Sequence, residues 1–378
     1  MKDKKGFCYE IFKNIAVWNS NAGVSYNPCS FYQGFIDNNL PIDKAWLGSN
    51  HKKIIEIVAN NDLVPGCQAC YGEEASGRKS RRNSSKELYE QFHGDSSISL
   101  VNTGPTGLDY SVGNHCNLKC IICGPHSSSS WISDYKKLNP GADVQFFVNR
   151  KSKTPELDDD NFLVNLKNVH FHGGGEPLLS DAHVRLLERI DRVKGLGDVR
   201  VFYNTNGTVK VDDHVLDLWS RCKLIEIYFS IDDIGRRFEY QRTGASWDKV
   251  TENIKWFYHN MPHNHMFNVN CVWGYLNLFY LDQLQQWHQD NLPANRYGDP
   301  CNLLFQKAIG PFSIQHLNAN TLSMLKNKFS SSPDLLNLLN GITQSESLHT
   351  NFWNVIKKID DVRNTAFEDI CPEWSIYL

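Results

Sequence analysis

Between Leu108 and Phe312 the chain alternates short apolar runs with longer amphipathic ones, and no other property of its 378 residues restricts the fold as much. Residues 108–112, 169–172, 199–203, 224–231 and 267–272 are short, rich in β-branched and aromatic side chains, and read as strands. Residues 211–222, 247–260 and 278–290 carry the longer period of amphipathic helices. Strands separated by helices pair in parallel through right-handed crossovers. Roughly six such units fit this stretch, which predicts an α/β fold of the partial (β/α)6, TIM-like barrel type with ligands at the carboxyl ends of its strands.

The flanks read differently. Residues 12–18, the turn-forming Asn19-Ser20-Asn21-Ala22-Gly23 and residues 24–26 have the pattern of a β-hairpin, followed by a helix over 51–60. A polar join lies near 78–104, and the Lys-, Asp- and Pro-rich residues 140–160 read as an insertion or loop after the first helix of the barrel. The expected division is therefore a small hairpin-plus-helix domain over 1–100, the barrel over 101–315 and a helical extension over 316–378. Hydrophobic content of 41% and aromatic content of 12% exclude a disordered or fibrous chain. A net charge of −3 gives no general attraction to nucleic acid or an anionic membrane, so neither is expected as a partner. Met1-Lys2-Asp3-Lys4-Lys5-Gly6 is charged with no apolar run behind it, so no secretory signal is expected. No apolar run is long enough to span a bilayer, and unpaired cysteines at metal-ligand spacing suit a reducing cytoplasm.

Those cysteines carry the chemistry. Cys116, Cys120 and Cys123 form a C-x3-C-x2-C run directly after the strand at 108–112. Three thiolates at this spacing can hold a [4Fe–4S] cluster and leave its fourth iron without a protein ligand, whereas four-cysteine sites are closed. A structural zinc knuckle or three unrelated core thiols are the alternatives that residue type alone leaves open. About fifty residues on, the strand at 169–172 runs into Gly173-Gly174-Gly175-Glu176-Pro177.

C-x3-C-x2-C followed by G-G-E-P at a strand end resembles the radical S-adenosylmethionine (SAM) enzymes. The resemblance implies a SAM-binding [4Fe–4S] cluster held by Cys116, Cys120 and Cys123. It implies that the open iron chelates the methionine portion of SAM, and that one electron then yields a 5′-deoxyadenosyl radical able to abstract a substrate hydrogen. Gly174, Gly175 and Glu176 resemble the turn that receives the methionyl amino group. Asn204, in Asn204-Thr205-Asn206-Gly207, and Ser230 resemble polar strand ends near the SAM ribose or carboxylate. Arg242 resembles the arginine that pairs with the SAM carboxylate, and Asn277 stands on the adenine side. Ile122 sits where relatives place an aromatic over adenine, and an aliphatic side chain there leaves a backbone contact only.

Cys8, Cys29, Cys67 and Cys70, with a hairpin and a helix among them, resemble the auxiliary-cluster domain called twitch, or SPASM-like. That implies a second [4Fe–4S] cluster closed by four thiolates, although zinc fits the same donor set. The family often has a double cysteine where this chain reads Pro28-Cys29-Ser30. Of the remaining thiols, Cys222 and Cys271 read as core. Cys301 and Cys371 fall in loops beside prolines and are candidate hydrogen-atom donors to a substrate radical, with inert packing as the alternative. The basic Arg78-Lys79-Ser80-Arg81-Arg82 reads as a solvated face beside the join.

The resemblance implies how the radical begins and leaves its target open. The expected reaction is dehydrogenation or epimerisation of a sugar-like small molecule, with a flavodoxin or ferredoxin as electron donor. Radical cross-linking or epimerisation of a ribosomal peptide is the alternative. A leader-binding module of about eighty residues usually goes with peptide substrates, and none is expected here. A non-enzymatic iron–sulfur carrier would have no use for G-G-E-P.

Overall fold

The computed structural model describes residues 5–20, 23–34, 37–38, 40–75, 77, 79–93, 104–149, 156–172, 174–292, 294, 301–340, 342–344 and 350–374. In chain order these form helix α1 (Tyr9–Lys13), strands β1 (Asn14–Ser20), β2 (Gly23–Asn27) and β3 (Asp37–Asn38), and helices α2 (Ile42–Ala45), α3 (Ser49–Ala59), α4 (Gln68–Ala75) and α5 (Arg81–His93). Next come β4 (Gly107–Ser111), α6 (Ile132–Leu138), α7 (Gln145–Asn149), β5 (Asn168–His172), α8 (Asp181–Lys194), β6 (Arg200–Thr205), α9 (Asp213–Ser220) and β7 (Leu224–Ser230). They are followed by α10 (Gly235–Gln241), α11 (Trp247–Asn260), β8 (His265–Trp273), α12 (Leu281–Asn291) and β9 (Asn302–Lys307). The C-terminal part adds α13 (Ala319–Lys328), α14 (Pro333–Leu339), α15 (Thr350–Arg363) and α16 (Phe367–Ile370). The fold class is α/β, of the partial (β/α)6 type.

The chain divides into two compact units. The first comprises Met1–His115, Asn149–Tyr203 and Asp212–Ile225. Its strands run in the order β3-β2-β1-β4-β5-β6. The hairpin is present, with Ala16 opposite Asn27 and Ser20 opposite Gly23. Its first strand begins at Asn14 rather than at residue 12, because Tyr9–Lys13 is helical. β1 also pairs in parallel with β4, Asn14 opposite Gly107 and Ala16 opposite Asp109. The outer edge of a lone hairpin would leave amide and carbonyl groups unpaired, and β4 satisfies them. The hairpin thus extends the strand series that β4 begins instead of standing in a sheet of its own. The polar stretch after residue 78 also differs from a loop, since Arg81–His93 is helix α5. Arg81, read as solvated, turns inward to the buried Glu10 at 3.3 Å, and Arg82 pairs with Glu74.

Alternation gives this part of the sheet two unlike faces. Ile15, Val17, Leu108, Val169, Phe171, Val201 and Tyr203 are fully buried on one of them. α8 and α9 cover it, with His183 and Trp219 against Tyr203. Asn14, Asp109, Ser111, His170 and His172 share the other, which is polar although largely shielded from solvent. The Tyr203 hydroxyl ties the covered face together, accepting from Trp219 Nε1 at 3.1 Å and meeting His183 Nδ1 at 3.0 Å.

The second unit comprises Cys116–Val148, Asn204–Val211 and Glu226–Leu378. Its strands run β7-β8-β9, with β8 and β9 parallel and Asn268 opposite Asn302. The C-terminal helices pack on the loop after β8. Phe352 of α15 stacks on Tyr275 at 4.6 Å, and Trp374 donates from its indole nitrogen to the Tyr275 carbonyl at 2.7 Å. No helix among the described residues is long and apolar enough to cross a membrane.

Tyr203→Phe should therefore strand two buried ring nitrogens. The urea midpoint is expected to fall by the equivalent of about 1–3 kcal/mol, without a change of slope. An unchanged midpoint would contradict this account of the α8–α9 face. Burial also holds the His183 imidazole down at about 4, from an ordinary value of 6.5. The unfolded chain takes up a proton in that window that the folded chain refuses. Stability should thus fall as pH is lowered from 6.5 toward 4, and His183→Gln should flatten that slope in urea titrations.

Candidate functional site

The cysteine loop lies in the second unit, and its backbone is pinned on several sides. Lys119 N and Ile121 N donate to the carbonyls of Thr243 and Gln241, each at 2.8 Å. Trp131 Nε1 donates to the Cys120 carbonyl at 2.7 Å, Ser130 Oγ to that of Cys116 at 2.8 Å and Ser128 Oγ to that of Leu118 at 2.5 Å. Irregular backbone is thereby held in one conformation by α10, by the turn before α6 and by the residues between. Asp134 of α6 completes the anchorage, accepting from Lys119 Nζ at 3.0 Å and from Arg363 Nε at 2.9 Å.

The sulfurs have their own partners. Arg242 Nη1 points at Cys120 Sγ and Asn206 Nδ2 at Cys116 Sγ, each at 3.8 Å. Cys120 is buried, Cys116 half-buried and Cys123 exposed. A hydrogen bond from the Cys123 thiol, with the Arg242 guanidinium beside it, holds the Cys120 thiol down at about 7. The thiolate is the form that binds metal. Three adjacent sulfurs with N–H donors aimed at two of them, and a thiol already tilted toward ionisation, fit an iron–sulfur cluster. Among the described residues no group of three or more His, Cys, Asp or Glu side chains is gathered as a single metal ion requires.

Several predicted contacts are redirected. Arg242 does not present a free fork, because its Nη2 pairs with the buried Asp232 at 2.8 Å. The sequence pattern Gln-Arg-Thr-Gly carried no sign of that carboxylate, which lies ten residues earlier at the end of β7. Asn277 is spent within the loop after β8, where Nδ2 donates to the carbonyls of Asp232 at 2.7 Å and Val272 at 3.0 Å. Its Oδ1 accepts from Gly274 N at 3.0 Å, so its side-chain amide clamps this loop. Asn204 and Ser230 stand half-buried at the ends of β6 and β7, and Ile122 is half-buried in the cysteine loop. Asn206, two residues beyond Asn204, is the member of its turn that reaches a cysteine. Its Nδ2 also donates to Asn117 Oδ1 at 3.0 Å, and its Oδ1 accepts from Thr208 N at 2.9 Å.

Cys301 is buried immediately before β9. It therefore lies at the amino-terminal end of the strand, about 20 Å along β9 from the carboxyl end where ligands are expected. A loop position near a proline had suggested the opposite end. Cys371 is buried against the loop after β8, where its Sγ donates to the Leu276 carbonyl at 3.4 Å. Neither thiol presents a free S–H.

In the first unit, the G-G-E-P turn follows β5. Gly174 and Gly175 have φ of 113° and 71°, in the region that favours glycine. A Cβ on Gly175 would stand 3.1 Å from the carbonyl oxygens of both Gly113 and His115. Glu176 N donates to the His115 carbonyl at 2.7 Å. The buried Glu176 carboxylate accepts from Leu178 N at 3.2 Å and caps the short turn Pro177–Leu179. The four amino-terminal cysteines also belong to this unit. Cys8 precedes α1, Cys29 follows β2, Cys67 ends the turn Pro65–Cys67 and Cys70 lies in α4. Burial pushes the Cys8 thiol up, with Glu10, Cys29 and Cys67 adding to it. Burial, with Cys70 beside it, pushes Cys67 up to about 11. Cys8 thus lies near Cys29 and Cys67, and Cys67 near Cys70, and a cationic centre beside these sulfurs would offset the cost of their ionisation. All eleven cysteines are free thiols.

Residues 110–273 match the family model described as the Radical SAM superfamily. A curated protein of Methanocaldococcus jannaschii, described as uncharacterized protein MJ0103, is 23% identical over 45% of this chain and 39% of its own length. The GTP 3′,8-cyclase of Peptoclostridium acidaminophilum is 27% identical over 39% of this chain and 41% of its own. The chain thus spans about two-fifths of the length of these curated relatives. Among solved structures, native anSMEcpe with bound AdoMet superposes with a TM-score of 0.40 and 20% identity, covering 63% of each chain. Streptococcus suis SuiB bound to precursor peptide SuiA superposes at 0.37 and 12% identity, covering 93% of this chain and 78% of that one. Superpositions this loose carry no weight for fold or reaction.

The close approach at Gly175 generates a direct test. Gly175→Ala places a methyl group against two carbonyl oxygens in an unfavourable backbone region. It should cost about 1–3 kcal/mol and lower the apparent melting temperature by several degrees. A melting curve identical to that of the unaltered protein would contradict the geometry of this turn.

Proposed function

We propose that this chain, whose residues 110–273 match the radical SAM superfamily model, is an enzyme that reductively cleaves SAM and abstracts a hydrogen atom from a sugar-like small molecule, dehydrogenating it. Cys116, Cys120 and Cys123 would hold the [4Fe–4S] cluster, and the turn from Gly174 to Glu176 would receive the methionyl amino group. When bound, cluster and SAM together supply one-electron cleavage of the sulfonium and a hydrogen-abstracting radical. The chain's own contribution is to position and to tune. Trp131, Ser130 and Ser128 fix the loop carbonyls, so the three sulfurs keep one arrangement. Arg242 and Asn206 bring N–H groups to two of those sulfurs, a contact that raises cluster potential. Asp232 balances the charge of Arg242 in a buried setting.

The observation that carries this reading is the pinned cysteine loop with its N–H donors. Dehydrogenation is favoured over epimerisation because neither Cys301 nor Cys371 offers a free S–H to return a hydrogen atom. Cys8, Cys29, Cys67 and Cys70 would hold a second, fully ligated cluster, suited to taking the electron left on the substrate. The Peptoclostridium relative, a GTP 3′,8-cyclase, acts on a nucleotide, which supports a small molecule over a peptide. A flavodoxin or ferredoxin would deliver the first electron, in a reducing cytoplasm.

Anaerobically reconstituted protein, reduced and mixed with SAM, should release 5′-deoxyadenosine, and Cys120→Ala should abolish the release. Protein with three intact loop cysteines and a full iron load that never cleaves SAM would overturn the assignment. Iron should approach about eight atoms per chain, falling to about four in Cys67→Ala with a lower folded yield. A Cys67→Ala protein with unchanged iron and yield would remove the second cluster from the account.

A further inference from the structure

The polar face of the first unit carries buried atoms that nothing among the described residues satisfies. Asp109 of β4 is 3% exposed and His172 of β5 is 9% exposed. Asp109 stands opposite His170 in the parallel register, and Ser111 opposite His172. Trp18 of β1 packs edge-on against the His172 ring, with centroids 4.8 Å apart. Asp109 Oδ2, His172 Nε2 and Trp18 Nε1 are all buried and have no hydrogen-bond partner among the described residues. A buried polar atom left unpaired costs about 1–3 kcal/mol, and native interiors rarely leave such atoms clustered. On the covered face of the same strands, by contrast, the Tyr203 hydroxyl, His183 and Trp219 satisfy one another.

The spacing states what is missing. His172 Nε2 and Asp109 Oδ2 are 4.0 Å apart, too far for a hydrogen bond. A single oxygen atom can sit about 2.8 Å from both. Burial holds the His172 imidazole down at about 4, so its ring is neutral near pH 7. The occupant must donate a hydrogen bond to a carboxylate oxygen, meet a neutral ring nitrogen and accept from an indole N–H. A hydroxyl group both donates and accepts, whereas the indole nitrogen only donates. Two or more hydroxyls or ring oxygens on one small molecule satisfy all three atoms, and the indole ring offers that molecule an apolar flank.

We propose that Trp18, Asp109 and His172 form the binding site of a polyhydroxylated, sugar-like ligand, with Asp109 and His172 sharing one ligand hydroxyl and Trp18 donating to another ligand oxygen. The site rests on, and deepens, the small-molecule dehydrogenase reading. Its residues bind and orient the ligand, independently of how the radical is made.

The test is binding without turnover. Anaerobic, cluster-loaded protein with SAM but no reductant is titrated with glucose, glucosamine and UDP-N-acetylglucosamine, by calorimetry and by quenching of tryptophan emission. At least one probe should bind saturably, and Asp109→Asn and Trp18→Phe should each weaken it by about tenfold or more. Trp18→Phe keeps an aromatic ring and removes only the indole donor, so it decides the matter even where Asp109→Asn fails to fold. Binding of no probe, or equal binding by Trp18→Phe, overturns the site. Release of 5′-deoxyadenosine, followed in parallel, separates the two ideas. Cleavage of SAM without probe binding removes the ligand site alone, whereas probe binding without SAM cleavage removes the enzyme assignment alone.

Discussion

The ion pair between Arg242 and Asp232 sets the terms for everything around the cysteine loop. A guanidinium buried this deeply is tolerable only with a carboxylate on it, and once paired it has one N–H arm left for Cys120. That arm and the Asn206 amide are the charged and polar contacts that any cluster on Cys116 and Cys120 would feel first. The arrangement is self-consistent. The loop supplies one thiol, Cys120, that is held toward ionisation while its hydrogen-bond partner Cys123 is pushed the other way, and the Arg242 guanidinium beside them favours the thiolate.

Rigidity of the loop comes from farther away. Arg363, near the end of α15, reaches Asp134 at 2.9 Å and Thr243 Oγ1 at 3.0 Å, and lies over the Trp131 ring at 4.5 Å. Trp131 in turn holds the Cys120 carbonyl. A C-terminal helix therefore braces the cysteine loop through one arginine, and the tail is part of the loop's support.

Much of this was legible in the sequence, for identifiable reasons. Strands β4 to β8 and helices α9 and α11 follow strong apolar periods, so they fall close to their expected places. The cysteine spacing and the G-G-E-P turn are local patterns in which chemistry demands particular residues side by side. What escaped was non-local. Nothing near Arg242 announced Asp232 as its partner, and Asn277 looked available until the carbonyls that claim it were in view. Asn206 and Asn204 are indistinguishable in a turn motif, and the amide that reaches Cys116 belongs to Asn206, just beyond the end of β6. Cys301 looked like a residue at the ligand end because prolines mark loops without saying which end of a strand they join. Arg81 sits in a basic run, and only the buried Glu10 explains why it faces inward. The parallel pairing of β1 with β4 is likewise a contact between segments about ninety residues apart.

The central claim is that three cysteine thiolates present a cluster with one iron free to take SAM. Electron paramagnetic resonance of the reduced, reconstituted protein, recorded before and after adding SAM, tests it most directly. The account predicts a [4Fe–4S] signal whose g-values move when SAM binds and which disappears in Cys120→Ala. A spectrum indifferent to SAM, in protein that carries its full iron, would contradict it.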